Sequence, residues 1–283
     1  MASERRLRLG IDVGGTFTDA VAVDSATREL LASVKIPTTH TAPEGVAAGI
    51  AAALTALLAR VGLPAAQVSF IAHGTTQATN ALLEGDLARV GIVAAGSGLE
   101  GARVRSETDL GRLELSAERS VELPHRFIAP GDEAAAVAEL AAAGVEVIVA
   151  AAAFSVDDPS GEQAITATAQ AAGLPAVATH EMTQLLGLRR RTRTAAVNAG
   201  ILPVMVRAAD QTEASVRAAG IGAPLMVMRC DGGVMSVEQL RRRPLLTLLS
   251  GPAAGVAGAL RAERLSDGLF IEVGGTSSDL CAV

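Results

Sequence analysis

Two stretches of this sequence place acidic, glycine and hydroxyl residues at a spacing suited to phosphate chemistry. The first is Ile11-Asp12-Val13-Gly14-Gly15-Thr16-Phe17-Thr18-Asp19, and Ile271-Glu272-Val273-Gly274-Gly275-Thr276-Ser277-Ser278-Asp279 echoes it near the other end. Each runs as an acid, an apolar residue, Gly-Gly, Thr, a second hydroxyl two positions on, and a closing Asp. Glycine lets turn N–H groups approach phosphate oxygens closely. Thr16 and Thr18 add hydroxyl donors on the same strand face, since their positions differ by two. Asp12 is suited to hold Mg²⁺ beside the phosphates, and Glu272 and Asp279 are the matching acids of the second copy. Two such hairpins facing across a cleft form a clamp that positions a triphosphate and neutralises its charge, which is most of the catalysis of phosphoryl transfer. Gly14, Gly15, Thr16 and Thr18, with Gly274, Gly275, Thr276 and Ser277, are therefore the candidate nucleotide-binding residues. No Gly-Lys-Ser/Thr follows the glycines and no helix opens on them, so neither copy is a P-loop or a dinucleotide fingerprint.

The elements that position the first copy follow from pattern. Leu7–Val13, Phe17–Val23 and Leu30–Ile36 read as consecutive antiparallel strands with Gly14-Gly15 at the first turn. Thr41 and Glu44 form a capping box. Val46, Ile50, Leu54, Leu57 and Val61 then share one helical face that Gly62 stops. A strand over Val68–Ala72 leads through His73-Gly74-Thr75-Thr76 into a helix over Thr76–Glu84, and a helix N-terminus after a strand suits an anion. Strand–helix alternation continues, except between about Gly96 and Arg126, where no period emerges and irregular structure or a small excursion is expected. The segments divide as 1–95 (first lobe), 96–230 (an α/β middle region) and 231–283 (a connecting helix and the second hairpin).

Composition narrows the class. Hydrophobic residues make up 49% of 283 and aromatics only 2%, so Ala, Val and Leu must build the core, which favours α/β layers. A net charge of −6, with no aromatics interleaved among Arg189–Arg193 or Arg241–Arg243, argues against nucleic acid. Cys230 and Cys281 lack paired spacing, and His40, His125 and His180 lack spaced partners, so these residues are read as structural or surface. The apolar stretch 134–154 is alanine-rich and interrupted by Glu139, Gly144 and Glu146; it reads as a helix followed by a buried strand rather than a membrane span. A cytoplasmic protein without membrane partners is expected.

The two hairpins resemble the phosphate motifs of the actin/hexokinase/heat-shock-ATPase superfamily. Within it, Asp12–Asp19, His73–Gly85 (HGTTQATNALLEG), Asp231–Ser236 (DGGVMS), Leu248–Val256 (LLSGPAAGV) and Gly274–Asp279 resemble the hydantoinase/oxoprolinase family, with a looser match over Arg191–Thr194 and Asn198. The resemblance implies an actin-like or ribonuclease-H-like α/β ATPase fold, with a complete first lobe and the start of a second. It implies ATP and Mg²⁺ as cofactors, and hydrolysis of a cyclic amide such as 5-oxoproline or a hydantoin after phosphorylation of the amide oxygen. A ketone carboxylase subunit and a sugar-kinase-type phosphotransferase stay open as alternatives. On this resemblance Asp12, Thr75 and Asn80 are candidate catalytic residues, and His73, Gly74 and Thr76 line the substrate cleft. Glu272 departs from the family's usual Asp. The resemblance also implies a longer polypeptide or a second hydantoinase-type subunit as partner, so this chain alone is expected to be catalytically incomplete.

Overall fold

The computed structural model describes residues 5–39, 46–116, 119–264, 266–273 and 278–283. His40, Thr41, Glu44, Gly274, Gly275, Thr276 and Ser277 lie outside the described residues. In chain order the elements are β1 (Leu7–Val13), β2 (Phe17–Asp24), β3 (Leu30–Pro37), α1 (Val46–Val61), β4 (Val68–Thr75), α2 (Gln77–Glu84), β5 (Val90–Ala95) and α3 (Gly98–Thr108). Next come β6 (Arg112–Glu114), β7 (Ser120–Glu122), β8 (His125–Ile128), α4 (Glu133–Ala142), β9 (Val147–Ala152), α5 (Ser160–Ala171), β10 (Ala176–Ala178) and α6 (Thr179–Met182). The long α7 (Leu188–Ala218) leads to β11 (Leu225–Met228), β12 (Val234–Ser236), α8 (Val237–Arg242), α9 (Ser250–Glu263), β13 (Leu269–Val273) and β14 (Ser278–Ala282). The chain divides into two units, one from Met1–Thr79 with Val204–Val283 and one from Asn80–Pro203.

Alternation decides the first unit. In β1 every second residue, Leu7, Leu9, Ile11 and Val13, is buried, and in β2 the buried set is Thr18, Ala20, Ala22 and Asp24. Register matches the two sets, pairing Leu7 with Asp24 and Val13 with Thr18. This buried face receives α1, whose Ile50, Leu54 and Leu57 are fully enclosed, each contributing roughly 1.5–3 kcal/mol. Gly62 closes that helix with φ +70, a left-handed conformation that costs glycine nothing. The sheet runs β12-β11-β4-β1-β2-β3, with β4 parallel to β1. The opposite face presents Gly10, Asp12, Asp19, Val21, Ala72 and Gly74.

The second unit is a four-stranded parallel sheet in the order β10-β9-β5-β8. Its central strands β5 and β9 are buried at every position, as expected where both faces of a parallel sheet are covered. The segment expected to be irregular instead contains α3, a β6–β7 hairpin and β8. The helix shows no apolar period because its buried face is only Gly101, Val104 and Thr108. Gly96 lies so near Gly101 that an added Cβ would stand 3.2 Å from the Gly101 Cα. Close approach of the Gly96 and Gly101 backbones and the single apolar contact of Val104 with Ala94, Ala151 and Leu188 pack this helix.

A buried polar network ties the second unit together. The Glu162 carboxylate, fully enclosed, accepts from the Ala152 N–H at 3.0 Å, the Thr179 hydroxyl, the His180 N–H at 2.9 Å and the His180 ring at 2.6 Å. Arg191, also fully enclosed, donates to the Thr179 hydroxyl, the carbonyls of Leu185, Leu186 and Ala152, and the Ser155 hydroxyl. Every hydrogen-bonding direction of both charges is used, the condition under which buried charge is tolerated. Truncation of Arg191 to Ala is expected to destabilise the second unit by about 3–5 kcal/mol, the range for breaking a buried pair. Denaturant unfolding measures it; a loss below about 1 kcal/mol would mean that water or a neighbour readily replaces the guanidinium.

Candidate functional site

Asp12 stands opposite Asp19 on β2 and beside Gly74 on β4. Its carboxylate leans over Gly74, where an added Cβ would meet Oδ1 at 2.8 Å. The second acid is seated the same way, since a Cβ at Gly255 on α9 would stand 3.0 Å from the Glu272 carboxylate oxygen. Both carboxylates open onto one cavity of about 320 Å³ within the first unit. Its floor is Gly10, Ala72 and Gly74, its walls include Val21 and Met228, and α9 contributes Gly251, Ala254 and Gly255. A larger depression of about 820 Å³ beside Arg28, Arg261 and Arg264 contains no residue of the motifs.

The cavity is negatively charged and has little internal compensation. Burial raises the Asp12 pKa, and the nearby charges of Asp19 and Glu272 raise it further. Lys35 opposes the shift, but its ammonium is paired with Asp19 at 3.2 Å and lies over the Phe17 ring. A cation is therefore the natural complement of this cavity. Among the described residues no three His, Cys, Asp or Glu side chains form a ready-made metal cage. A site of one or two carboxylates that leaves positions for phosphate and water is the kind Mg²⁺ occupies.

Helix α9 supplies the opposite polarity. Its first turn carries no side-chain cap, and Leu249, at the N-cap, takes the left-handed φ of 57°. The Leu249 N–H donates to the Thr79 hydroxyl at 3.3 Å and Ser250 Oγ donates to the Thr75 carbonyl at 3.3 Å, which fixes the start of the helix. Gly251, in that first turn, lines the cavity. An uncapped helix N-terminus next to a cation-demanding acid pair is complementary to an anion that carries its own metal.

The structure gathers some of the sequence-selected residues and separates others. Asp12, Gly74 and Glu272 meet at the cavity. In the hairpin turn the Gly14 N–H donates to the Phe17 carbonyl at 3.0 Å, while Gly15 and the Thr16 side chain are exposed. Thr18 is placed on the buried face, its hydroxyl 3.2 Å from that of Thr38, which donates to the Gly14 carbonyl. Thr18 thus braces the turn from behind, because its strand parity is that of Ala20 and Ala22. His73 pairs with Ile11, is buried and does not line the cavity. Thr75 is buried, and its hydroxyl accepts from the Gln77 N–H at 3.2 Å at the start of α2. Thr76 follows it, and Asn80 lies in the second unit. Asp279 pairs in register with Glu272, so the acid-opposite-acid arrangement of Asp12 and Asp19 recurs. The residues that sequence reasoning missed are Gly10, Gly251, Ala254 and Gly255; the signal for the last three was small residues at helical i, i+3 and i+4 spacing.

Two family models account for most of the chain: the hydantoinase/oxoprolinase N-terminal region matches residues 8–173, and hydantoinase/oxoprolinase matches residues 191–283. The chain belongs to the hydantoinase/oxoprolinase family. This family member is 28% identical over 309 residues to the caprolactamase subunit alpha of Pseudomonas jessenii, covering 98% of the chain and 43% of that protein. It is 26% identical to the acetophenone carboxylase gamma subunit of Aromatoleum aromaticum, over 97% of the chain and 42% of that protein. Its fold matches the crystal structure of the ATP-dependent caprolactamase from P. jessenii, with a TM-score of 0.71, 26% identity and coverage of 97% of this chain and 43% of that one. It also matches nucleotide-free acetone carboxylase, with a TM-score of 0.77, 21% identity and coverage of 98% and 44%. These matches establish the α/β ATPase-like fold. The chain spans less than half the length of the curated relatives it matches. Among the described residues no helix is long and apolar enough to cross a membrane.

His73 yields a pH prediction. Burial lowers its pKa to about 4 from 6.5, and Nδ1 has no partner. The folded state resists protonation, so stability is full above pH 6.5 and falls as pH drops toward 4, by about 3 kcal/mol in all. Urea midpoints between pH 7 and 4.5 should fall less in His73→Gln than in the wild type; equal falls would contradict the assignment.

Proposed function

We propose that the first unit binds the phosphates of Mg²⁺·ATP in the cavity between the Asp12 hairpin and α9, and that the whole protein uses ATP to open a cyclic amide. The observation that carries this reading is the pair of carboxylates, Asp12 and Glu272, seated over Gly74 and Gly255 on one cavity with an uncapped helix start. Asp12 and Glu272, with Asp279 behind the latter, would hold Mg²⁺; bound there, the ion would offset the charge of the phosphates. Gly14, Gly15 and Thr16 approach the phosphates from the hairpin side and Gly251 from α9, with Gly274–Ser277 proposed as the second hairpin's share. Thr75 and Asn80 keep proposed roles through α2, and His73, Gly74 and Thr76 a proposed place beside the substrate path.

In the proposed reaction the amide oxygen attacks the γ-phosphorus, the bond to the β–γ bridging oxygen breaks, and ADP leaves. Water then adds to the activated carbon, the ring C–N bond opens, and phosphate is released. Similarity to the P. jessenii caprolactamase supports a lactam substrate. Likeness to the acetophenone carboxylase subunit supports a second reading, in which the phosphorylated group is a ketone enolate. The remainder of a longer polypeptide or a second hydantoinase-type subunit completes the site, and ATP use fits a cytoplasmic location.

Asp12→Asn tests the reading. A raised carboxylate pKa means that the fold disfavours the ionised form, so wild-type stability decreases as pH rises through the folded pKa. The Asn variant should therefore melt higher than wild type at neutral pH without metal. It should bind Mg²⁺·ATP at least tenfold more weakly by calorimetry, about 1.4 kcal/mol. A variant that melts lower and binds ATP as wild type does would refute the phosphate assignment.

A further inference from the structure

Glu162 is 0% exposed, and its oxygens are saturated by Ala152, Thr179 and His180. Thr179 and Arg191 are equally enclosed, whereas the His180 side chain keeps 19% of its surface. His180 is thus the outlet of an otherwise sealed charged network. Its Nδ1 lies 2.6 Å from the carboxylate, which orients the ring and leaves Nε2 with no protein partner among the described residues. A buried carboxylate that orients an imidazole in this way is the arrangement that prepares a histidine base.

The placement also points to a ligand. Ala152 ends β9 and Thr179 follows β10, so the pair sits at the carboxyl edge of a parallel sheet, where α/β folds take ligands. Three large apolar side chains stand exposed on the loops of that edge: Phe154 at 53%, Leu185 at 53% and Leu186 at 68%. Arg191 holds those loops through the Leu185 and Leu186 carbonyls and through Ser155. Phe154 is kept at φ +52, a strained conformation for a bulky residue that persists where the surroundings enforce it.

We propose that His180 is the proton acceptor for a small ligand with an apolar body and a polar N–H or O–H, docked at the carboxyl edge of the second unit, with Glu162 as its positioning residue. In the step, the ligand's proton moves to Nε2, the ligand keeps the electron pair, and the imidazolium formed is paired with Glu162. That the ligand is a lactam, a second molecule apart from the one placed at the phosphates, rests on the reading above; the oriented base rests on geometry alone.

Carbethoxylation with diethyl pyrocarbonate, followed residue by residue by mass spectrometry, tests the base without needing turnover. His180 should react at least tenfold faster than His125, whose Nε2 lies 2.9 Å from the Thr108 hydroxyl, and faster than buried His73. Glu162→Gln should slow His180 at least several-fold while circular dichroism stays native. Nitrogen-15 NMR of the ring should show the Nδ1–H tautomer. Slow labelling of His180, or an Nε2–H tautomer, overturns the proposal, and NMR on the wild type decides the matter even if the variant unfolds. ε-Caprolactam is the probe for the ligand class. Protection of His180 by it supports a lactam, whereas a reactive His180 that caprolactam leaves unprotected removes the lactam assignment and keeps the base.

Discussion

The structure of the first unit depends on one electrostatic constraint, an exposed Asp12 carboxylate that lines the cavity without a pairing cation. Its neighbours in the cavity are two more acids, and the nearby ammonium of Lys35 is committed to Asp19. Surrounding positions give way to it: Gly74 has no Cβ because Asp12 lies there, and Gly255 has none because Glu272 does. Gly10 and Ala72 keep the floor low, and the α9 start contributes the positive end of a helix dipole. A fold stabilised only by burial would place apolar residues at these points. Charge left uncompensated is charge kept for a ligand.

The second unit treats buried charge in the opposite manner. Glu162 and Arg191 are deeper than Asp12, and each is hydrogen-bonded to saturation. The network joins the loops after β9 and β10 to the first turn of α7, so it fixes the carboxyl edge of that sheet. Satisfied charge organises one unit and unsatisfied charge equips the other.

Local sequence made the first unit largely legible. The three opening strands, the buried face of α1 and its Gly62 stop follow from alternation, helical periodicity and a glycine, and each matches the structure to within a residue or two. Side-chain direction was harder. Thr16 and Thr18 look like same-face neighbours only if the strand continues through the turn; in the structure Thr18 takes the buried parity of Ala20 and Ala22. Helix α3 shows no period because its buried face holds only one large apolar residue, Val104, beside Gly101 and Thr108. The cavity roof came from α9, far along the chain, where small residues read as a connecting helix. The Glu162–Arg191 network joins residues with no local signature, since only folding brings α5, β10 and α7 together.

The central claim is that the Asp12 cavity is a metal–phosphate site. Electron paramagnetic resonance of Mn²⁺ in the presence of a non-hydrolysable ATP analogue tests it most directly, read as phosphorus-31 couplings in the wild type and in Asp12→Asn. The account predicts Mn²⁺ bound with phosphate in its coordination shell in the wild type and loss of that signal in the variant. A phosphate-coupled signal that survives Asp12→Asn unchanged would place the nucleotide elsewhere and contradict the account.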